Sequence, residues 1–123
     1  MNVFDFDGVV SIGLMPLPGD VIITGRGYDE AEVVFSELRN KLPYANFIPV
    51  YFNPKTKSNG RTREDSGEWK AWMILELIRR GAEISTIFED DEVQFDIIQE
   101  ALSSLSKTGK PNLCKIECDW VNK

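Results

Sequence analysis

The sequence predicts an α/β protein, a mostly parallel five-stranded sheet with helices on both faces, and three observations predict it. Short apolar runs alternate with longer stretches of helical periodicity along nearly the whole chain, the pattern of strands joined by crossover helices. Three of those runs end in polar clusters, at Asp5-Phe6-Asp7, Thr24-Gly25-Arg26 and Glu89-Asp90-Asp91, as strands do where a sheet edge holds a site. Finally, 123 residues of which 42% are hydrophobic are enough for one domain whose core needs no staple.

Strands are expected at residues 2–6, 20–24, 46–52, 84–88 and 113–120. The first helix, residues 29–42, carries Ala31, Val34, Phe35, Leu38 and Leu42 on one stripe, and Pro43 stops it. The second begins near Ser66, where Asp65 and Glu68 have capping-box spacing, and leaves at Gly81. Its Trp69, Trp72, Met73, Leu77 and Ile78 recur at helical spacing and read as core. The third helix, residues 92–106, buries Val93, Ile97, Ala101, Leu102 and Leu105, and residues 108–112 form a turn. No repeat, low-complexity segment or long linker divides the chain, so a single Rossmann-like three-layer α/β/α domain over residues 1–123 is expected.

Composition removes several function classes. The chain has no histidine, which excludes Ser-His-Asp and Cys-His mechanisms and any imidazole proton shuttle. Acid–base chemistry near neutral pH then falls to carboxylates, lysine or metal-bound water. A net charge of −6 argues against a broad nucleic-acid surface. One local exception is residues 53–63, which hold Lys55, Lys57, Arg61 and Arg63 and no acid. No apolar run approaches a membrane span. Acids at positions 5 and 7 break the basic-then-apolar pattern of a signal peptide, so a cytoplasmic location is expected. Cys114 and Cys118 lack the histidines that would complete a zinc site and are expected as reduced thiols.

The most informative residues are Asp5-Phe6-Asp7-Gly8-Val9. Two acids two positions apart project to one side of an extended chain, where they repel unless a cation lies between them. Gly8 lets the backbone turn sharply or approach a ligand. That is the layout of a metal-assisted nucleophile; the plainer reading is a strand ending in an Asp-Gly turn.

Taken together, the motifs resemble those of the haloacid dehalogenase (HAD) superfamily, whose members mostly transfer phosphoryl groups. Asp5-Phe6-Asp7-Gly8 resembles its first motif, Thr24 in Ile-Thr-Gly-Arg its second, Lys70 its third and Phe88-Glu89-Asp90-Asp91 its fourth. The Thr-Gly-Arg and Glu-Asp forms look closest to the phosphatase domains of phage-type polynucleotide kinases. The resemblance implies a HAD-like hydrolase, with Asp5 as nucleophile and Asp7 as general acid and then base. It implies Mg2+ held by Asp5, the Asp7 main-chain carbonyl and Asp90. Thr24 would bond a phosphate oxygen, Lys70 would offset charge, and Gly8, Gly25 and Arg26 would contact substrate.

Sixteen residues, 8 to 23, separate Asp7 from Thr24, and they include Gly13, Pro16, Pro18 and Gly19. They are too few and too turn-rich for a cap domain. An open, capless site suits a large substrate, and the basic loop would steer a phosphate backbone. The expectation is therefore a Mg2+-dependent phosphomonoesterase acting on nucleic-acid 3′-phosphate ends or on nucleotides, in the host cytoplasm if phage-encoded. Its rival is a catalytically silent module of the same fold that binds a phosphorylated ligand or a protein partner. A third reading is a phosphotransferase or small-molecule phosphatase capped by a partner subunit; the sequence leaves the oligomeric state open. Single residues keep plainer readings too. Thr24 caps its turn, Arg26 and the basic loop are solvated charge, and Lys57 competes with Lys70. Glu89 and Asp91 either support Asp90 or open the next helix, whose dipole suits acids.

Overall fold

Side-chain alternation along β1 (Asn2–Phe4) divides the interior into two cores. The computed structural model describes residues 1–117. In it β1 lies between β2 (Val21–Gly27) and β4 (Thr86–Glu89), with β3 (Val50–Asn53) and β5 (Asn112–Lys115) outside them. All four pairings are parallel, in the order β3-β2-β1-β4-β5. The register aligns Val3 with Val21 and Ile87, and Phe4 with Ile22 and Phe88. Val3, Val21, Ile23 and Ile87 consequently face one core, and Phe4 and Ile22 face the other. Strands covered on both faces need apolar residues at every position, which is why they read as continuous hydrophobic runs.

The helices complete the sandwich. On one face α1 (Ala31–Lys41) packs Val34 and Leu38 on Phe4 and Ile22, with Phe6, Val9 and Val10 beside them. On the other, α2 (Arg63–Arg79) and α3 (Glu92–Leu102) bury Ala71, Met73, Ile74, Leu77, Ile98 and Leu102. A methyl group on Gly67 would meet Ile97 Cδ1 at 2.9 Å and Gln94 Cα at 3.1 Å, so a bare glycine lets α2 lie close against α3. Among the described residues no helix is long and apolar enough to cross a membrane.

Several sequence expectations shift. The start of the third expected strand is a 3-10 turn, Ala45–Phe47, and pairing begins only at Val50. Helix α2 starts three residues earlier than expected, because Thr62 and not Asp65 is its N-cap. Thr62 Oγ1 accepts the Asp65 N–H at 3.1 Å and Asp65 Oδ2 accepts the Thr62 N–H at 2.8 Å, a reciprocal capping box. Gly81, at φ 96°, ends that helix as expected. Trp72 is solvent-facing rather than core, and α3 ends at Leu102 with Ile98 and Leu102, not Ile97, as its most buried side chains. Cys118 and Trp120, at the end of the last expected strand, lie outside the described residues; Cys114 is a free thiol.

The capping box carries a pH signature. The Thr62 main-chain N–H, the Lys55 ammonium and the Thr62 hydroxyl pull the Asp65 carboxyl from 3.8 down to about 2. A depressed native pKa contributes stability above the unfolded value and loses it as pH falls through the native one. The melting-temperature gap between wild type and Asp65→Asn is expected to be constant above pH ~4 and to close toward pH 2. A gap that persists at pH ~2 refutes this assignment.

Candidate functional site

In an open parallel sheet, ligands bind where successive connections run to opposite sides of a strand. From β1 the chain steps outward to β2 and β3, then returns across to β4 and β5, so that point lies between β1 and β4. There the carboxyl ends of both strands deliver acids: Asp5 after β1, Glu89 at the end of β4, and Asp90 beyond it. One oxygen from each lies within 4.8 Å of the others.

Lys70 enters this cluster from the second turn of α2. Its Nζ donates to Asp5 Oδ1 at 2.8 Å and to Glu89 Oε1 at 2.7 Å, and all three side chains are buried. Burial works against the ammonium, but the two carboxylates outweigh it and raise its pKa above the ordinary lysine value. Three carboxylates against one ammonium still leave an excess of negative charge. Burial drives the Asp5 pKa well up, Lys70 opposes, and Glu89 and Asp90 add to the rise. Burial also raises Asp90, again reinforced by Glu89. A site that holds on to protons in this way is one in which a cation would be welcome.

The oxygens are not equivalent. Glu89 Oε2 accepts the N–H groups of Asp90 and Asp91 at 3.0 and 3.1 Å, so both Glu89 oxygens are engaged in holding the turn and Lys70. Asp5 Oδ1 accepts from Lys70 and from the Phe6 N–H. Among the described residues no donor reaches Asp5 Oδ2 or either Asp90 oxygen, which makes these the atoms free for a metal or a reaction. Hard oxygen donors of this kind suit a small divalent cation.

Asp7 stands apart from this cluster. The Arg26 guanidinium grips it with two bonds of 2.9 Å, from Nε to Oδ2 and from Nη2 to Oδ1. Phe6 lies between the two acids, fully buried against α1, with Arg26 stacked over its ring at 5.8 Å. The anchored phenyl turns Asp5 inward to Lys70 and leaves Asp7 on the cleft wall. Gly8 adopts φ +77°, and a Cβ there would overlap the Asp90 carboxylate at 1.9 Å, so glycine is needed for conformation and for space. It does not line the cleft.

Arg26 itself is aimed by an irregularity. The pairing of β2 with β3 shifts register between Ile23 and Gly27, and such a bulge redirects side chains. Thr24, inside it, is fully buried: its Oγ1 accepts the Arg26 N–H at 3.1 Å and its carbonyl accepts the Trp69 indole N–H at 2.9 Å. Thr24 therefore shapes the turn and stays off the cleft surface, whereas Gly25 and Arg26 line it. Packing against Ser66, whose Cβ would be 2.8 Å from a methyl there, keeps residue 25 a glycine.

The cleft has a volume of about 390 Å3. Asp5, Lys70 and Asp90 form its floor, and Arg26, Arg61 and Arg63 its basic walls. Three members of the basic loop are already matched to acids: Lys55 with Asp65, Arg61 with Glu30, and Arg63 with Asp91. Lys57 has no such pair among the described residues. Of the two candidate lysines, Lys70 is the one brought to Asp5. Ser66 and Gln94, one turn into α2 and α3, were not picked out by sequence reasoning; the Gln94 side-chain oxygen is buried at the cleft with no partner among the described residues. The only signal for it was its position three residues after the α3 cap Asp91, whose Oδ2 accepts the Gln94 N–H.

Removing one partner of a buried ion pair typically costs about 3–5 kcal/mol, because the remaining charge is left unmatched. Urea unfolding of Lys70→Met is expected to show a loss of that order, with part of it recovered by adding Glu89→Gln. A loss below about 1 kcal/mol would mean that water reaches this ammonium in solution.

No family model matches this chain, and no curated protein and no solved structure matches it either.

Proposed function

We propose that the cleft is the active site of a Mg2+-dependent phosphomonoesterase working through an aspartyl-phosphate intermediate. The observation that carries this reading is Asp5, held by Lys70 and Phe6 at one oxygen with its other oxygen free, at the strand-end crossing point beside basic cleft walls. The motif resemblance to capless HAD-superfamily phosphatases supports it, as does the connection from β1 to β2, which contains only a 3-10 turn (Val10–Ile12) and loop. Asp5 and Asp90 would hold Mg2+, together with the Asp7 main-chain carbonyl. Bound there, the ion would supply charge screening between nucleophile and phosphate and would polarise the phosphoryl group.

The residues divide the reaction in two. Asp5 Oδ2 attacks phosphorus, forming an O–P bond as the bond to the leaving oxygen breaks. Asp7 gives its proton to that oxygen. Water then attacks the aspartyl phosphate, its proton passes to Asp7, and inorganic phosphate leaves with Asp5 regenerated. Lys70 offsets the negative charge of the Asp5 side chain throughout. Arg26 suits bidentate contact with phosphate. Its present hold on Asp7 makes the phosphate dianion a competitor for the guanidinium, so substrate binding would release Asp7 to act as acid. A leaving group at an open cleft with Arg61 and Arg63 on its wall fits a nucleotide or a nucleic-acid 3′ end.

The test is release of inorganic phosphate from p-nitrophenyl phosphate, nucleotides and oligonucleotides phosphorylated at either end. Turnover is expected only with Mg2+, and Asp5→Asn is expected to lose it by several orders of magnitude. Asp7→Asn is expected to retain more activity on p-nitrophenyl phosphate, whose leaving group needs no proton, than on an oligonucleotide. A folded protein that binds Mg2+ and turns over none of these substrates would instead be a binding module for a phosphorylated ligand.

A further inference from the structure

The register shift in β2 leaves main-chain groups without a strand partner. Ile23 pairs with Tyr51 and Gly27 with Asn53, so residues 24–26 of β2 stand opposite Phe52 alone. A ladder that skips residues leaves some of their N–H and C=O groups unpaired, and such groups need other partners when buried. Side chains supply them. Gly25 O accepts from Asn53 Nδ2 at 3.2 Å and, more loosely, from Ser66 Oγ at 3.3 Å. The N–H at the other end of the same peptide, that of Arg26, donates to Thr24 Oγ1 at 3.1 Å. A peptide group is planar, so holding its oxygen and its hydrogen fixes the plane from which the Arg26 side chain departs.

Asn53 joins this set from outside the cleft. It closes β3, is 1% exposed and does not line the cleft. Its Oδ1 accepts the Lys55 N–H at 2.9 Å, so one carboxamide holds the bulge at one end and the root of the basic loop at the other. Both partners are main-chain groups of fixed sense, a carbonyl and an N–H. A carboxamide of this length serves both: aspartate lacks the donor, leucine lacks both groups, and glutamine is one methylene too long. The two walls meet again nearby, where a methyl group on Gly27 would lie 3.1 Å from Arg61 Nη1.

We propose that Asn53 is a positioning residue for phosphate binding, acting through the Gly25–Arg26 peptide to aim the Arg26 guanidinium into the cleft. The inference rests on the reading of the cleft as a phosphate site given above. Arg26 holds Asp7 with bonds of 2.9 Å from Nε and Nη2, and a phosphate that takes over that grip needs the guanidinium presented from the same root. With the peptide pinned, the side chain changes partner while the backbone stays in place. Without Asn53 only Ser66 would remain on Gly25 O, and Arg26 would depart in a spread of directions. Ordering it again on binding lowers ligand affinity rather than slowing the chemical step.

Calorimetric titration of the whole chain with inorganic phosphate, in the presence of Mg2+, tests this. Asn53→Ala is expected to weaken phosphate about five- to tenfold, the effect of one hydrogen bond, with Mg2+ affinity and far-ultraviolet circular dichroism unchanged. Arg26→Ala is expected to weaken it further. The double variant Arg26→Ala/Asn53→Ala is then expected to bind no worse than Arg26→Ala, because the two residues act through one contact. Ser66→Ala removes the other bond to Gly25 O and is expected to follow the same pattern, which keeps the test open should Asn53→Ala not fold. On p-nitrophenyl phosphate, Asn53→Ala is expected to raise KM by more than it lowers kcat. Unchanged phosphate affinity in Asn53→Ala and Ser66→Ala, losses that multiply with that of Arg26→Ala, or a matching loss of Mg2+ affinity each overturns this inference alone. A wild type that binds no phosphate overturns it together with the phosphatase reading. A wild type that binds phosphate with the expected coupling and hydrolyses no ester overturns the phosphatase reading and upholds this one.

Discussion

A single buried ammonium organises this molecule. Lys70 belongs to α2, Asp5 follows β1 and Glu89 closes β4, and the two bonds from Nζ tie the three elements at one point. Bringing a charge out of water is costly unless its partners are close and well aligned, so the arrangement tolerates little displacement of any of the three. Other features follow from that demand. Gly67 lets α2 lie against α3 one turn before Lys70, and the Trp69 indole fastens α2 to β2 at Thr24 one residue before it. Glu89 spends its second oxygen on two main-chain N–H groups, which fixes the turn that carries Asp90.

The opposite wall of the cleft is built by a different means. There the charges are paired closer to solvent: Asp7 with Arg26 and Arg63 with Asp91. Exposed pairs of this sort are worth little to stability, and they can exchange partners at little cost. The cleft thus combines a floor fixed by desolvation with walls that can rearrange around an anion.

Much of this was legible in the sequence, for reasons tied to particular residues. Parallel strands buried on both faces must be apolar throughout, so Val3-Phe4 and Val21-Ile22-Ile23 announce themselves, and the polar clusters that follow mark the sheet edge. Lys70 was singled out by the motif resemblance with Lys57 left as a competitor, and only the way α2 lies on the sheet brings Lys70 to Asp5. What was hidden depends on contacts between distant residues. That Trp72 faces outward follows from how α2 lies on the sheet, which its 3.6-residue spacing cannot reveal. Thr62 caps α2 through a box with Asp65, yet Asp65 and Glu68 offer the same spacing, and only the path of the loop chooses between them. The separation of Asp7 from Asp5 was hidden for the same reason: alternation places both on one side of an extended strand, but β1 ends at Phe4 and the chain is already turning.

That turn is held by Phe6, a fully buried core residue seated between the two acids with Arg26 across its ring. Most proteins keep their reactive residues on loops that can vary while the scaffold stays constant. In this chain the scaffold and the reactive segment are the same few residues. Selection for a stable interior and selection for the chemistry of the cleft act on one stretch of sequence, so neither can drift without the other, and the room for adapting this protein to new ligands lies in the basic loop and the strand-end bulge instead.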